Sequence, residues 1–375
     1  MNSFIINEDL ALEEYLCAKA SHNNSIITAG FELTPLCNMN CQMCYIRLSK
    51  VEQEKEHRLR TCDEWLSLAQ KLHEKGTLFL LLTGGEPLLY PHFFEIYSAL
   101  KKMGFIITIN SNGTLLTEEM IKLFAKELPR RINITIYGAS NETYEKVTGN
   151  PKGYDQLMSA LHLLKKYKIP TKLNCSLIRE NMADTPAILK LSEDLSLPLE
   201  YNTYMFPCSR RKYSSFSYES RVTPEEAAYW EIYIKKFQKK MNFISLRNKV
   251  LEDFQNPISE MPHKEKMQCR AGKSSCWINW KGEMTPCVFF DTPAISVFDT
   301  PLDQAWETIQ KSCDKTFLPI ECTSCKYRKH CSVCAACAKC EVGDTQKRPE
   351  YMCKYMAHTH TLLQQNHINT SRHLT

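Results

Sequence analysis

Three cysteines in the spacing C-x3-C-x2-C are the residues of this chain best suited to chemistry. They are Cys37, Cys41 and Cys44, and they follow a strand-like segment at 31–34. Three thiolates can hold three corners of a cubic [4Fe–4S] cluster and leave its fourth iron without a protein ligand. A structural zinc or iron–sulfur site normally closes that position with another residue. The spacing therefore predicts a cluster that can bind a small molecule and pass it one electron.

A glycine-rich turn, Gly84-Gly85-Glu86-Pro87, follows the next apolar run at 78–82. Glycines let the backbone approach a ligand closely, and a carboxylate or carbonyl group can hold an ammonium. In this order the two motifs resemble those of the radical S-adenosylmethionine (SAM) enzymes. The resemblance implies that the cysteines hold the cluster and that the turn binds the amino group of SAM. It also implies reductive cleavage of SAM to a 5′-deoxyadenosyl radical, which takes a hydrogen from the substrate.

The same resemblance implies further SAM contacts from residues that follow strand-like segments. Tyr45 matches the aromatic residue that usually touches the adenine, and Glu86 matches the contact to the amino group. Ser111 and Asn112 follow the third strand-like segment, and Tyr137 follows the fourth. An ordinary turn or core role is an equal alternative for these last three residues.

Composition limits the class of protein. The 375 residues, of which 43% are apolar, suffice for two domains or for one large α/β domain with an appendage. Eighteen cysteines without a secretory signal predict metal binding in a reducing cytoplasm rather than a disulfide scaffold. A net charge of +5 is no nucleic-acid signature. No apolar run approaches the roughly 18 residues that would span a bilayer, so we expect no membrane partner.

Strand-like and helical patterns alternate from residue 29 to 206. We predict strands near 30–34, 78–83, 105–110, 131–137, 172–178 and 199–205, and helices at 61–75, 91–103, 117–127, 153–167 and 184–195. This order predicts an α/β fold with a parallel sheet, and the radical SAM resemblance implies a partial (β/α)6 TIM-like barrel. The predicted regions are a lead segment at 1–28, the barrel at 29–206, a bridging region at 207–261, a cysteine-rich domain at 262–356 and a polar, histidine-containing tail at 357–375. Disorder is expected for that tail.

The cysteine-rich domain resembles the SPASM extension of radical SAM enzymes that modify peptides and proteins. The matching positions are Cys269, Cys276, Cys287, Cys322, Cys325, Cys331, Cys334 and Cys353. The resemblance implies one auxiliary [4Fe–4S] cluster on Cys269, Cys276, Cys287 and Cys334, and a second on Cys322, Cys325, Cys331 and Cys353. The spacing after Cys331 departs from the family pattern, so Cys337 is an alternative to Cys334. Taken alone, the paired C-x2-C steps would also suit a four-cysteine zinc site.

Auxiliary clusters would accept the second electron of a net oxidation. The sequence therefore predicts a maturase that oxidatively modifies a ribosomally made peptide, forming a thioether or another crosslink. Alternatives are an anaerobic sulfatase-maturing enzyme that makes formylglycine, a molybdenum-cofactor biosynthetic enzyme, and a non-catalytic iron–sulfur or zinc scaffold. The expected partners are a precursor peptide and an electron donor of the flavodoxin or ferredoxin type. We expect the precursor to be recognised by a separate leader-recognition protein or by the barrel and the bridging region themselves.

Overall fold

A nine-stranded sheet runs through the described part of the protein. The computed structural model describes residues 3–207, 220–256, 258 and 261–365. The strands are β1 (Thr28–Glu32), β2 (Phe79–Thr83), β3 (Ile106–Ser111), β4 (Arg131–Thr135), β5 (Thr171–Ser176), β6 (Leu199–Asn202), β7 (Ser275–Ile278), β8 (Glu283–Thr285) and β9 (Ile295–Ser296). Their order is β6-β5-β4-β3-β2-β1-β7-β8-β9, and β1 to β6 are parallel.

Helices follow the parallel strands and cover the sheet. They are α1 (Ser3–His22), α2 (Lys50–Glu56), α3 (Cys62–Glu74), α4 (Phe93–Lys102), α5 (Glu118–Lys126), α6 (Asn141–Thr148), α7 (Gly153–Lys166), α8 (Thr185–Leu195), α9 (Pro224–Lys239), α10 (Phe243–Gln255), α11 (Leu302–Asp314), α12 (Ile320–Thr323), α13 (Ala335–Val342) and α14 (Glu350–Gln364). The predicted partial (β/α)6 TIM-like barrel with a cysteine-rich C-terminal region is confirmed.

Local sequence explains why the barrel helices begin where they do. Thr61 and Glu64 form a reciprocal capping box at the start of α3, in which each side chain accepts a hydrogen bond from the backbone of the other. The apolar face of α3 then buries Trp65 completely, and its ring lies 4.9 Å from that of Phe31 on β1. This packing fixes the strand that leads into the first cysteine motif.

Strand β7 joins the cysteine-rich region to the barrel. It pairs in parallel with β1, and the Trp277 indole donates a hydrogen bond of 2.6 Å to the Glu32 carboxylate. The same indole covers Gly30, where an added Cβ would come within 2.5 Å of the ring. The barrel and the cysteine-rich region therefore share one sheet. The boundaries predicted between these regions from the sequence stay a prediction.

The C-terminal tail differs in part from the expectation of disorder. Helix α14 continues to Gln364, so that expectation is wrong for residues 357–364. His358 forms an ion pair of 2.8 Å with Glu225 on α9, and His360 lies 3.3 Å from the Tyr327 hydroxyl. Residues 366–375 lie outside the described residues, as does the stretch at 208–219 within the predicted bridging region. Within the described chain, no helix is both long and apolar enough to cross a membrane.

Candidate SAM and iron–sulfur sites

The loops that follow β1 to β5 converge on one cavity of about 250 Å³ at the carboxyl ends of these strands. Parallel strands bring the residues after their carboxyl ends to one edge of the sheet. The cavity is lined by Cys37, Met39, Cys41, Met43, Cys44, Tyr45, Ile46, Thr83, Gly84, Gly85, Asn110, Ser111, Asn112, Thr135, Tyr137 and Ser176. The structure thus brings together the three cysteines and every predicted SAM contact except Glu86.

The glycine turn packs directly against the start of the cysteine loop. The Gly85 amide donates to the Thr34 carbonyl at 2.7 Å, and the Glu86 amide donates to the Leu36 carbonyl at 2.9 Å. A Cβ on Gly85 would come within 2.4 Å of the Leu36 carbonyl oxygen, and Gly84 has a φ of +152°. Any larger residue would displace the backbone that leads into Cys37, so the glycines set the position of the cysteine loop.

Glu86 is completely buried behind the cavity. Its carboxylate accepts hydrogen bonds from the Ser111 hydroxyl at 2.9 Å, the Asn112 amide at 2.8 Å and the Leu88 amide at 3.2 Å. Burial raises the pKa of Glu86 to about 7, and these three hydrogen bonds oppose the rise. The carboxylate therefore ties the glycine turn to the end of β3, and its predicted contact with the SAM amino group stays a prediction.

Hydrogen-bond donors surround the sulfur atoms of the first motif. The Met39 amide lies 3.4 Å from Cys37 Sγ, and the Arg47 amide lies 3.3 Å from Cys44 Sγ. Asn112 Nδ2 lies 3.7 Å from Cys37 Sγ. Burial raises the pKa of Cys37 to about 12, so iron has to displace a proton when it binds there. Three sulfurs on one cavity, with donors that stabilise thiolates, fit a [4Fe–4S] cluster with one open iron.

Several cavity residues were not expected from the sequence. Thr83, Thr135 and Ser176 line the cavity, and each is the last residue of its parallel strand, β2, β4 and β5 respectively. A polar residue at the end of successive parallel strands is the signal that would have found them. They add hydroxyl groups to a cavity that also contains the glycine turn, as a polar ligand such as SAM requires.

Four of the C-terminal cysteines surround a second cavity, of about 170 Å³. They are Cys322, Cys325, Cys331 and Cys353, the set that the resemblance assigns to the second auxiliary cluster. Burial raises the pKa of Cys322 to about 12, and the charges of the other three cysteines add to the rise. Cysteines distant in sequence thus form one electrostatically coupled group. In the part of the chain that the structure describes, no three His, Cys, Asp or Glu side chains are close enough to hold a single metal ion.

The four cysteines assigned to the first auxiliary cluster have different surroundings, and the assignment of all four to one cluster stays a prediction. Burial raises the pKa of Cys287 to about 11, two backbone hydrogen bonds oppose this rise, and the charges of Cys334 and Cys269 add to it. We call Cys269, Cys287 and Cys334 the first auxiliary group. Cys276 instead lies within β7, and burial alone raises its pKa to about 12. Cys337, the alternative to Cys334, is completely buried with its sulfur 3.2 Å from the Tyr204 hydroxyl.

Residues 31–192 match the profile of the Radical SAM superfamily. That match covers both sequence motifs, the end of β1 and the whole of β2 to β5, whose carboxyl ends form the first cavity. This part of the chain is a radical SAM domain. The relatives of the chain include an AdoMet-dependent heme synthase from Methanosarcina barkeri, which is 25% identical over 87% of this chain and 95% of its own length.

Solved structures share the fold of this chain. One is anSMEcpe with bound AdoMet, with a TM-score of 0.68 and 18% identity over 90% of this chain and 98% of that one. Another is Streptococcus suis SuiB bound to the precursor peptide SuiA, with a TM-score of 0.67 and 14% identity over 90% of this chain and 78% of that one. At these identities the likeness concerns the fold alone.

Proposed function

We propose that this radical SAM enzyme oxidatively modifies a ribosomally made peptide, forming a thioether or another crosslink. The observation that supports the proposal most is the group formed by Cys322, Cys325, Cys331 and Cys353 around one cavity, in a region that shares its sheet with the SAM cavity. These four thiols fit an auxiliary [4Fe–4S] cluster. Such a group has no part in cleaving SAM, so it indicates an additional electron transfer.

The residues of the first cavity have separate tasks in this proposal. Cys37, Cys41 and Cys44 would hold the cluster, while the Gly84-Gly85 turn and the polar strand ends would orient SAM. When bound, SAM and its cluster would supply the radical chemistry that removes a hydrogen atom from the substrate. The protein holds the reactants in place and excludes water. Tyr137 is partly buried and lines the cavity beside the cysteines, so it helps to shield this side of the cavity.

Electron counting supports a net oxidation. Abstraction of one hydrogen atom leaves the substrate as a radical. To become a closed-shell thioether or carbon–carbon crosslink, the substrate then has to lose one electron and one proton. An auxiliary cluster would supply the electron acceptor, and a donor of the flavodoxin or ferredoxin type would supply the electron that cleaves SAM.

A row of aromatic rings connects the rim of the SAM cavity with the cysteine-rich region. The ring of Tyr45 lies 5.3 Å, edge to face, from that of Phe289, which follows Cys287 by two residues. Phe289 in turn stacks on Phe206 with a centroid distance of 4.3 Å. This packing keeps the first auxiliary group beside the rim of the cavity in which the substrate radical would form.

A peptide substrate is supported by the folds that this chain shares. SuiB was crystallised with a precursor peptide, and anSMEcpe was crystallised with AdoMet and a peptide. The proposal includes a separate leader-recognition protein and a cytoplasmic location. The test is anaerobic incubation of the reconstituted enzyme with SAM, a reductant and short peptides encoded beside its gene, followed by mass spectrometry. A peptide that loses two hydrogen atoms while 5′-deoxyadenosine accumulates supports the proposal.

Other outcomes of that experiment decide between alternatives. Conversion of a cysteine or serine to an aldehyde would favour the formylglycine-forming alternative. Absence of 5′-deoxyadenosine under all reducing conditions would contradict the enzymatic proposal. Formation of 5′-deoxyadenosine with every candidate peptide unchanged would exclude those peptides and direct attention to a different substrate class.

A porphyrin substrate is the second candidate, because the Methanosarcina barkeri heme synthase matches nearly its whole length to this chain. A shorter match, 27% identical over 45% of this chain, is an Fe-coproporphyrin III synthase of the same organism. The test is titration of the enzyme with Fe-coproporphyrin III and with heme, followed by visible absorption. A spectral shift that saturates at one porphyrin per chain would favour this candidate over the peptide, provided that neither added peptide nor added SAM reverses the shift.

A further inference from the structure

A cysteine outside the recognised pattern lies against the first auxiliary group. Cys313 is near the end of α11 and is only 4% exposed. Its sulfur is so close to Gly272 that a Cβ added to this glycine would come within 2.4 Å of it. Gly272 also has a φ of +69°, so the backbone conformation and the contact with Cys313 both require glycine at this position.

Gly272 belongs to the tight turn that directly follows Cys269. The Ser274 amide donates to the Arg270 carbonyl at 2.9 Å, and the Gly272 amide donates to the Ser275 carbonyl at 3.1 Å. These bonds fold residues 270–275 into a compact unit with Cys269 at its start. Contact between Cys313 and this turn therefore brings the sulfur of α11 beside the loop that presents Cys269.

The electrostatic environment of Cys313 agrees with this placement. Burial is the largest cause of its raised pKa, and the charges of Cys269 and Cys287 follow as the next two causes. The pKa of Cys334 is in turn raised by burial and by the charge of Cys269. Cys269 is thus a shared neighbour of Cys287, Cys313 and Cys334, which come from three other segments of the chain.

Cys276 has a different environment. It lies on β7 opposite Ala29 of β1, and β7 is an inner strand of the sheet with β1 on one side and β8 on the other. Side chains alternate along a strand, so Cys276 shares its face with the fully buried Ile278 and not with Trp277. No neighbouring cysteine contributes to its raised pKa. Its position is that of a core residue of the sheet.

We propose that Cys313, and not Cys276, is the fourth protein ligand of the first auxiliary cluster, together with Cys269, Cys287 and Cys334. This inference rests on the proposed function, because that function requires the auxiliary clusters. On ligation the Cys313 thiol loses its proton to solvent and forms one bond from sulfur to iron, with no change of oxidation state. The cluster then has no open iron, so it would exchange electrons and would not bind substrate.

The chain offers a matched pair of substitutions for the test. Cys276 and Cys313 are the same residue type, and each is 4% exposed. Both Cys→Ala changes are made in a variant in which the three cysteines of the first motif are alanine, so that only auxiliary iron is measured. The readouts are iron per chain after anaerobic reconstitution and the electron paramagnetic resonance spectrum of the reduced protein. Circular dichroism checks that each variant folds, and Cys313→Ser provides a ligand of nearly the same size.

We expect Cys313→Ala to lose about one to four of roughly eight auxiliary irons, depending on whether a three-iron cluster survives. Cys313→Ser should change the spectrum of one cluster, and Cys276→Ala should leave both the iron content and the spectrum unchanged. Iron loss in Cys276→Ala with full retention in Cys313→Ala would overturn the assignment, as would equal losses in both. Zinc in place of auxiliary iron in the parent variant would instead contradict the proposed function itself.

Discussion

Replacing Glu86 with glutamine tests the most strongly buried charge of the site. The pKa of Glu86 is raised by burial from 4.5 to about 7, so the folded chain binds this proton more tightly than the unfolded chain does. Folding is therefore favoured by this group at low pH, and that stability is lost as the pH rises from about 4.5 towards 7. At roughly 1.4 kcal/mol per pKa unit, the full effect is about 3 kcal/mol, of which about 2.5 kcal/mol falls between pH ~5 and pH ~8.

The assay is urea unfolding of the metal-free protein, followed by circular dichroism at both pH values. Wild type should lose about 2.5 kcal/mol of unfolding free energy relative to Glu86→Gln as the pH rises across this interval. A Glu142→Gln control, which alters an exposed carboxylate on α6, should follow the wild-type trend closely. Parallel pH profiles for wild type and Glu86→Gln would contradict this prediction, since they would mean that ionising Glu86 in the folded chain costs no free energy.

Three further predictions concern the positions around the clusters. Gly85→Ala should destabilise the protein by about 1–3 kcal/mol and lower the iron retained by the first motif, because its Cβ would meet backbone that cannot rotate away; equal iron in both proteins would contradict this. Cys334→Ala should lose auxiliary iron while Cys337→Ala retains it, and the reverse pattern would make Cys337 the ligand. Arg221→Met should cost roughly 3–5 kcal/mol in thermal or urea unfolding, because it leaves the carboxylate of Glu341 buried without its ion-pair partner. The double variant with Glu341→Gln should recover most of that loss, and no recovery would contradict a pairwise effect.

Strong local signals made most of the barrel predictable. The capping residue Thr61 and the alternation of strands and helices placed the barrel elements within a few residues of their observed bounds. The first cavity followed from the same logic, since each motif stands directly after a parallel strand. The fold class and the approximate location of the site could therefore be predicted from patterns of residues that are close together in the sequence.

Contacts between residues that are far apart in the sequence could not be predicted from these local patterns. Nothing around Ser275–Ile278 indicates that this strand pairs with β1, at the far end of the sequence. The burial of Glu86 behind the cavity depends on Ser111 and Asn112 of the next strand. Cys313 has no neighbour in any cysteine pattern, and only the packing of α11 against the turn at Gly272 reveals its surroundings.

The most direct test of the account is the iron and zinc content per chain after anaerobic reconstitution. Wild type is compared with a variant in which Cys37, Cys41 and Cys44 are all alanine. A radical SAM enzyme with two auxiliary clusters should hold about twelve irons, and the variant should hold about eight. About four irons in wild type with stoichiometric zinc would contradict the account, because the net oxidation would then lack its electron acceptor.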